Sequence, residues 1–145
     1  MITIDTRELH FRIREAMKGD EIFDLFRKKW VVLTPEEWVR QSLLGYLVQQ
    51  KQYPSALIAV ERGLKVGELN RRFDAVIFNR TGRPHILIEC KAPGEKIEDA
   101  AVSQLLAYQS VLGATYLMLS NGHSIRCWQI NGNNVFEQSE MPPPP

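Results

Sequence analysis

Two stretches decide the fold: Arg72-Phe73-Asp74-Ala75-Val76-Ile77-Phe78 and His85-Ile86-Leu87-Ile88-Glu89-Cys90-Lys91. The second is apolar until a carboxylate and an ammonium appear two positions apart. Residues i and i+2 of a strand share a face, so Glu89 and Lys91 project together. A strand this apolar is expected at the centre of a sheet, where a charge is costly unless paired or bound to a metal. If the stretches form an antiparallel hairpin closed around Thr81-Gly82, paired positions sum to 163. Asp74 then faces Glu89 and Arg72 faces Lys91, with opposed Cβ atoms about 4.5–5.5 Å apart.

Two carboxylates that close repel unless a proton or a cation lies between them. A Mg²⁺ ion, or Mn²⁺ in its place, suits the gap, taking oxygen ligands at ~2.0–2.1 Å and keeping several waters. The expected ligands are Asp74, Glu89 and the backbone carbonyl of Cys90. Lys91 then stands where it can position an attacking water or stabilise transition-state charge. A structural reading stands beside this one. In it Glu89 and Lys91 form an ion pair at a strand end, and Asp74 pairs with Arg72 or Arg71.

Outward from the hairpin, Thr34-Pro35-Glu36-Glu37 reads as a helix start, with Thr34 as N-cap, Pro35 at N1 and Glu37 at the N3 site of a capping box. That helix is expected to run to about Gln50, broken by Tyr53-Pro54. Before it, Leu9 to Arg14, Ile22 to Phe26 and Trp30 to Leu33 read as strands, with a turn at Lys18-Gly19-Asp20. After it come strands over Ala56 to Glu61, Arg72 to Phe78 and His85 to Lys91, then a helix from Glu95 to Leu112 with Gly113 as its C′ residue. Tyr116 to Leu119 and Ile125 to Ile130 complete a mixed α/β pattern.

The spacing Asp74, fourteen residues, Glu89-Cys90-Lys91 resembles the metal-dependent nuclease motif PD-(D/E)XK, with Phe73 where the motif often has proline. The wider text, from Thr34-Pro35-Glu36-Glu37-Trp38-Val39-Arg40-Gln41 through Ile88-Glu89-Cys90-Lys91-Ala92-Pro93, resembles the N-terminal nuclease domain of type I restriction enzyme R subunits. Gln104-Leu105-Leu106-Ala107-Tyr108 matches the Gln-x-x-x-Tyr motif shared by that domain and RecB-type nucleases. The similarity spans about residues 30 to 130. It implies an α/β restriction-endonuclease-like core, a central mixed β-sheet flanked by helices, and Mg²⁺-dependent cleavage of DNA. It also implies functional roles for Gln104 and Tyr108, which share a helix face at i, i+4, and a metal-holding role for a glutamate on the first core helix. Glu37, ahead of Glu36, is the candidate, although the capping box explains the same residue.

Arg71, Arg72, Arg80 and Arg83 surround the Asp74 hairpin and form a candidate phosphate-binding rim. Arg27-Lys28-Lys29 is a second basic candidate. The whole chain carries eighteen basic and seventeen acidic residues over 145 positions, net +1, which excludes a histone-like polycation. With 44% hydrophobic and 24% charged residues, the composition is that of a globular domain. Cys90 and Cys127 are too few for a disulfide scaffold or a structural zinc site, and His10, His85 and His123 are dispersed. No apolar run approaches the ~18–20 residues of a membrane span. A cytoplasmic single domain over residues 1–141, with Pro142–Pro145 as an exposed tail, is expected. No Gly-x-x-x-x-Gly-Lys loop is present, so a domain acting alone has to find its substrate some other way or borrow a partner protein that supplies a motor or specificity. Two other functions fit the same residues: a catalytically silent nucleic-acid-binding or scaffold module, and a nuclease acting on RNA.

Overall fold

The computed structural model describes residues 1–145, except for the side chains of Val66 and Leu69. Ten strands and two α-helices follow in the order β1 (Ile2–Thr3), β2 (Ile13–Arg14), β3 (Glu21–Asp24), β4 (Lys29–Val32), α1 (Pro35–Gln49), β5 (Ile58–Val66), β6 (Leu69–Phe78), β7 (Pro84–Cys90), α2 (Asp99–Leu112), β8 (Tyr116–Ser120), β9 (Ser124–Asn131) and β10 (Asn134–Gln138). The main sheet has seven strands in the order β1-β9-β8-β7-β6-β5, with β10 also on β9, and a small second sheet is β2-β3-β4. Among the described residues only β7 and β8 run parallel, joined by a helical crossover through α2. No helix among the described residues is long and apolar enough to cross a membrane.

Alternation along the central strands sends side chains into two cores. Ala75, Ile77, Ile86, Ile88 and Met118 pack with Leu43, Leu44 and Leu47 of α1. Val76, Leu87, Leu117 and Leu119 pack with Val102 and Leu105 of α2 on the other face. The sheet is therefore covered by one helix per side, the mixed α/β architecture expected from its apolar strands. Thr34 caps α1, its Oγ1 accepting from the Glu37 N–H at 3.0 Å. Gly113 closes α2 at φ 73, a left-handed conformation that glycine adopts without Cβ strain.

Several expected elements differ. Leu9 to Phe11 is not strand, because the Gln49 side-chain amide on α1 satisfies both backbone groups of His10, at 2.9 and 3.0 Å. Helix α2 starts at Asp99 rather than Glu95, after a turn at Ala92–Glu95. Strand β5 continues to Val66 around a Gly67-Glu68 turn, and β1 and β10 were not legible as strands. Pro142 is buried and its carbonyl accepts from the Tyr53 hydroxyl, so the proline run is not free from its first residue.

Truncation on either face should expose this sandwich. Leu87→Ala on the α2 side and Ile88→Ala on the α1 side should each cost about 2–5 kcal/mol in urea unfolding. A near-zero cost for one of them would mean that its face is not packed.

Candidate active site

The β6–β7 hairpin pairs Ala75 with Ile88, Val76 with Leu87 and Ile77 with Ile86, all on the expected sum of 163. A shift between Ile77 and Phe78 then pairs Phe78 with Pro84, so the turn itself closes one residue off that register. At the opposite end the ladder stops after Ala75. The next N–H on that side of β7, from Cys90, donates to Asp74 Oδ2 at 2.7 Å. A carboxylate thus replaces a strand carbonyl, and β6 departs from β7. Beyond this point β5 and β6 pair only with each other, from Arg62↔Phe73 to Val66↔Leu69. Lys91 lies outside β7, with its N–H bonded to the Ser120 carbonyl at 2.7 Å. The expected Asp74–Glu89 and Arg72–Lys91 pairings are therefore both absent from the ladder.

Glu89 is only 17% exposed at its side chain and accepts from Arg71 Nη2 at 3.1 Å. Burial, then the neighbouring Asp74 carboxylate, pushes its pKa from 4.5 up to about 7, against the lowering pull of Arg71 and Lys91. The partner of Glu89 is thus Arg71 and not Lys91, which has no ion pair among the described residues. Lys91 lines a cleft of about 330 Å³ with Glu95, Lys96 and Glu98, in front of α2. Desolvation, then Asp74, holds the Cys90 thiol well above its usual range. Its backbone carbonyl, not its sulfur, is the group suited to a site here.

Asp74 and Cys90 line a second, polar cleft of about 310 Å³ with Arg27, Glu37, Arg40 and Glu61. Glu37 sits here, but its carboxylate is fully engaged. Oε1 accepts from Arg27 Nη2 at 2.6 Å and Arg40 Nη2 at 2.7 Å. Oε2 accepts from Arg40 Nε at 2.9 Å and Gln41 Nε2 at 3.3 Å. Burial alone would raise the Glu37 pKa, but the hydrogen bonds and charges of Arg40 and Arg27 override it and hold the group below its ordinary value. The return bond of the expected capping box is not made, because these arginines take the carboxylate. Arg27 also pairs with the fully buried Asp24, and both arginines reach Glu61 at 3.5 Å. Arg40 Nη1 further lies 3.5 Å from the Asp74 carbonyl, tying the network to the candidate site. Arg27, Arg40 and Glu61 were not legible as a cluster, since each lies on a different element.

Gln104 and Tyr108 both lie on α2, and Tyr108 packs against the hairpin. Tyr108 stands edge-on to Phe73 with centroids 6.3 Å apart, and Arg71 lies 5.1 and 5.2 Å from the two rings. Gln104 is exposed and makes no hydrogen bond among the described residues. The four arginines of the expected rim divide. Arg71 bonds Glu89 and Arg72 follows it on the exposed ribbon, while Arg80 and Arg83 sit at the turn, beyond a strand run that spans roughly 13 Å from Asp74 to Phe78. Arg62 and Lys65 share the ribbon with Arg71 and Arg72.

Among the described residues no group of three or more His, Cys, Asp or Glu side chains is poised around a metal. A two-carboxylate set with a carbonyl still fits Mg²⁺, which keeps several waters. The raised Glu89 pKa reflects a carboxylate pair whose charge Arg71 compensates only in part, a setting that a divalent cation would suit.

A family model described as type I restriction enzyme R protein N terminus matches residues 35–142. No curated protein matches the chain.

Two measurements follow from the electrostatics. Glu37→Ala removes the closest partner of Arg40 and leaves it only the 3.5 Å contact with Glu61, while Arg27 keeps Asp24 and Glu61; the change should cost about 1.5–3 kcal/mol, and a loss under about 1 kcal/mol in chemical denaturation would show the network to be solvent-screened. The folded Glu89 pKa of about 7 lies above its ordinary 4.5, so folding favours the protonated form. That contribution is complete below pH 4.5 and is lost as pH rises through 7. The metal-free protein should therefore melt progressively lower across this window, and Glu89→Gln should flatten the slope. His85, lowered by burial, contributes a slope of opposite sign that is common to both proteins. An identical slope in both would contradict the raised value.

Proposed function

We propose, for a chain that belongs to the family of type I restriction enzyme R protein N termini, divalent-cation-dependent hydrolysis of phosphodiester bonds in DNA. The observation that carries this reading is the pair of adjacent, poorly solvated carboxylates, Asp74 and Glu89, at the point where the hairpin ladder opens. Asp74, Glu89 and the Cys90 carbonyl would hold Mg²⁺, with Mn²⁺ as an alternative. When bound, the ion supplies Lewis-acid activation of water and neutralises charge on the phosphate.

The protein's own contribution is positional. Cys90 N–H fixes one oxygen of Asp74, and the Arg27–Glu37–Arg40–Glu61 network holds the strands on which Asp74 rides. Lys91, without an ionic partner among the described residues and two positions from Glu89, would orient the attacking water and stabilise the charge that develops on the phosphoryl oxygens. Arg72 and Lys65 offer phosphate contacts on the exposed ribbon. Glu37 serves the ion network in this arrangement, and its carboxylate has no lone pair free for a ligand role. Translocation and target choice would come from partner subunits.

One observation favours the silent binding module instead: Arg71 already sits on Glu89. Incubating the purified protein with plasmid, linear and single-stranded DNA, and with RNA, in Mg²⁺, Mn²⁺ or EDTA separates the two. Cleavage should require the cation and should vanish in Asp74→Ala and Glu89→Ala variants that remain folded. Lys91→Ala should lose turnover while keeping or improving calorimetric Mn²⁺ binding, since it removes a nearby positive charge. DNA binding without cleavage, together with no Mn²⁺ binding at millimolar concentration, would replace the nuclease with the binding module.

A further inference from the structure

The residue that most constrains this reading is Arg71, which stands where a cation is expected. It lies on β6 four residues from Ala75, the last residue paired to β7, in the stretch that pairs only with β5. Its Nη2 donates to Glu89 Oε1 at 3.1 Å and its Nη1 to the Arg72 carbonyl at 2.9 Å. Its guanidinium carbon lies 5.1 Å from the Phe73 ring centre and 5.2 Å from that of Tyr108. We propose that Arg71 is a built-in counter-cation, holding the place of the divalent ion on Glu89 in the metal-free chain and released toward the DNA backbone when the ion binds.

This inference rests on the metal-dependent reading above and adds a step to it. A monovalent guanidinium touching Glu89 alone leaves the Asp74–Glu89 pair with residual negative charge. A divalent ion cancels that charge more fully, and the two cations repel at such range. Arg71 keeps 28% of its side chain exposed, so its release needs no opening of the core. The two rings provide a resting place after release, because cation–π attraction does not depend on Glu89. From there the planar fork fits a phosphate with two parallel hydrogen bonds. The same geometry gives Tyr108 a role through its ring. Its hydroxyl makes no hydrogen bond among the described residues, whereas its ring, standing edge-on to Phe73 at 89°, flanks the guanidinium.

The test is calorimetric Mn²⁺ binding without DNA, on wild type, Arg71→Gln, Arg71→Lys, Tyr108→Phe and Tyr108→Leu. Arg71→Gln should bind Mn²⁺ about tenfold tighter than wild type, equivalent to about 1.4 kcal/mol. Arg71→Lys should stay near wild type because it keeps the charge, and Tyr108→Phe because it keeps the ring. Should Arg71→Gln fail to fold, Tyr108→Leu should raise Mn²⁺ affinity in the same direction by loosening the guanidinium. In fluorescence anisotropy with Ca²⁺ in place of Mg²⁺, Arg71→Gln should weaken DNA binding more with the cation than in EDTA. Equal or weaker Mn²⁺ binding by Arg71→Gln than by wild type, or by Tyr108→Leu if that variant stands in, overturns the counter-cation role and leaves the metal site standing. Absence of Mn²⁺ binding in every protein overturns both.

Discussion

A single hydrogen bond, from the Cys90 N–H to Asp74 Oδ2, converts a sheet into a site. In a regular ladder that N–H would pair with a carbonyl of β6, and the strand would run on beside β7. With the carboxylate inserted, pairing ends at Ala75↔Ile88 and β6 leaves carrying β5 with it. The gap lies at the end of a strand that is fully buried over Ile86–Ile88. Charges can exist here because solvent reaches the opened end but not the strand's middle. Glu61, at φ 49, marks the same level on β5, where the pairing to β6 is interrupted.

Two acidic groups near this opening have been driven in opposite directions. Glu37 is buried among two arginines and an amide, so its charged form is the stable one. Glu89 is buried beside another carboxylate with one arginine, so its charge is poorly compensated. The first arrangement is what a structural joint between α1, β3 and β5 requires. The second leaves a buried carboxylate whose charge is poorly compensated, and pairs of titratable groups pushed apart in this way are common at functional sites. Arg40 connects the two through its approach to the Asp74 carbonyl.

Much of this was legible. An apolar run ending in Glu-x-Lys, with Asp74 on the matching register, located the opened end of the hairpin. The expected sum holds over Ala75–Ile77 although the turn closes differently, because the irregularity after Ile77 absorbs the extra residue, but the Asp74–Glu89 and Arg72–Lys91 pairs expected from it are not made. Thr34-Pro35 announced α1 through cap chemistry alone. What stayed hidden were interactions made across elements. Arg71 and Glu89 do not oppose each other in any ladder, and their pairing depends on β6 bending away. Arg27, Glu37, Arg40 and Glu61 meet only after the small sheet, α1 and β5 have docked. The ribbon beyond Glu61 was missed because its described side chains are mostly solvated and polar, so it lacks the apolar alternation by which strands are read. Gln49 hid a third feature by substituting a side-chain amide for a strand partner at His10.

The central claim is that the carboxylates exposed by the opened ladder hold a divalent cation. Anomalous diffraction from crystals grown with Mn²⁺ tests it most directly. The account predicts one peak within coordination distance of the Asp74 and Glu89 carboxylates and the Cys90 carbonyl, with Arg71 no longer on Glu89. A crystal saturated with Mn²⁺ that shows no peak there, and Arg71 still paired with Glu89, would contradict it.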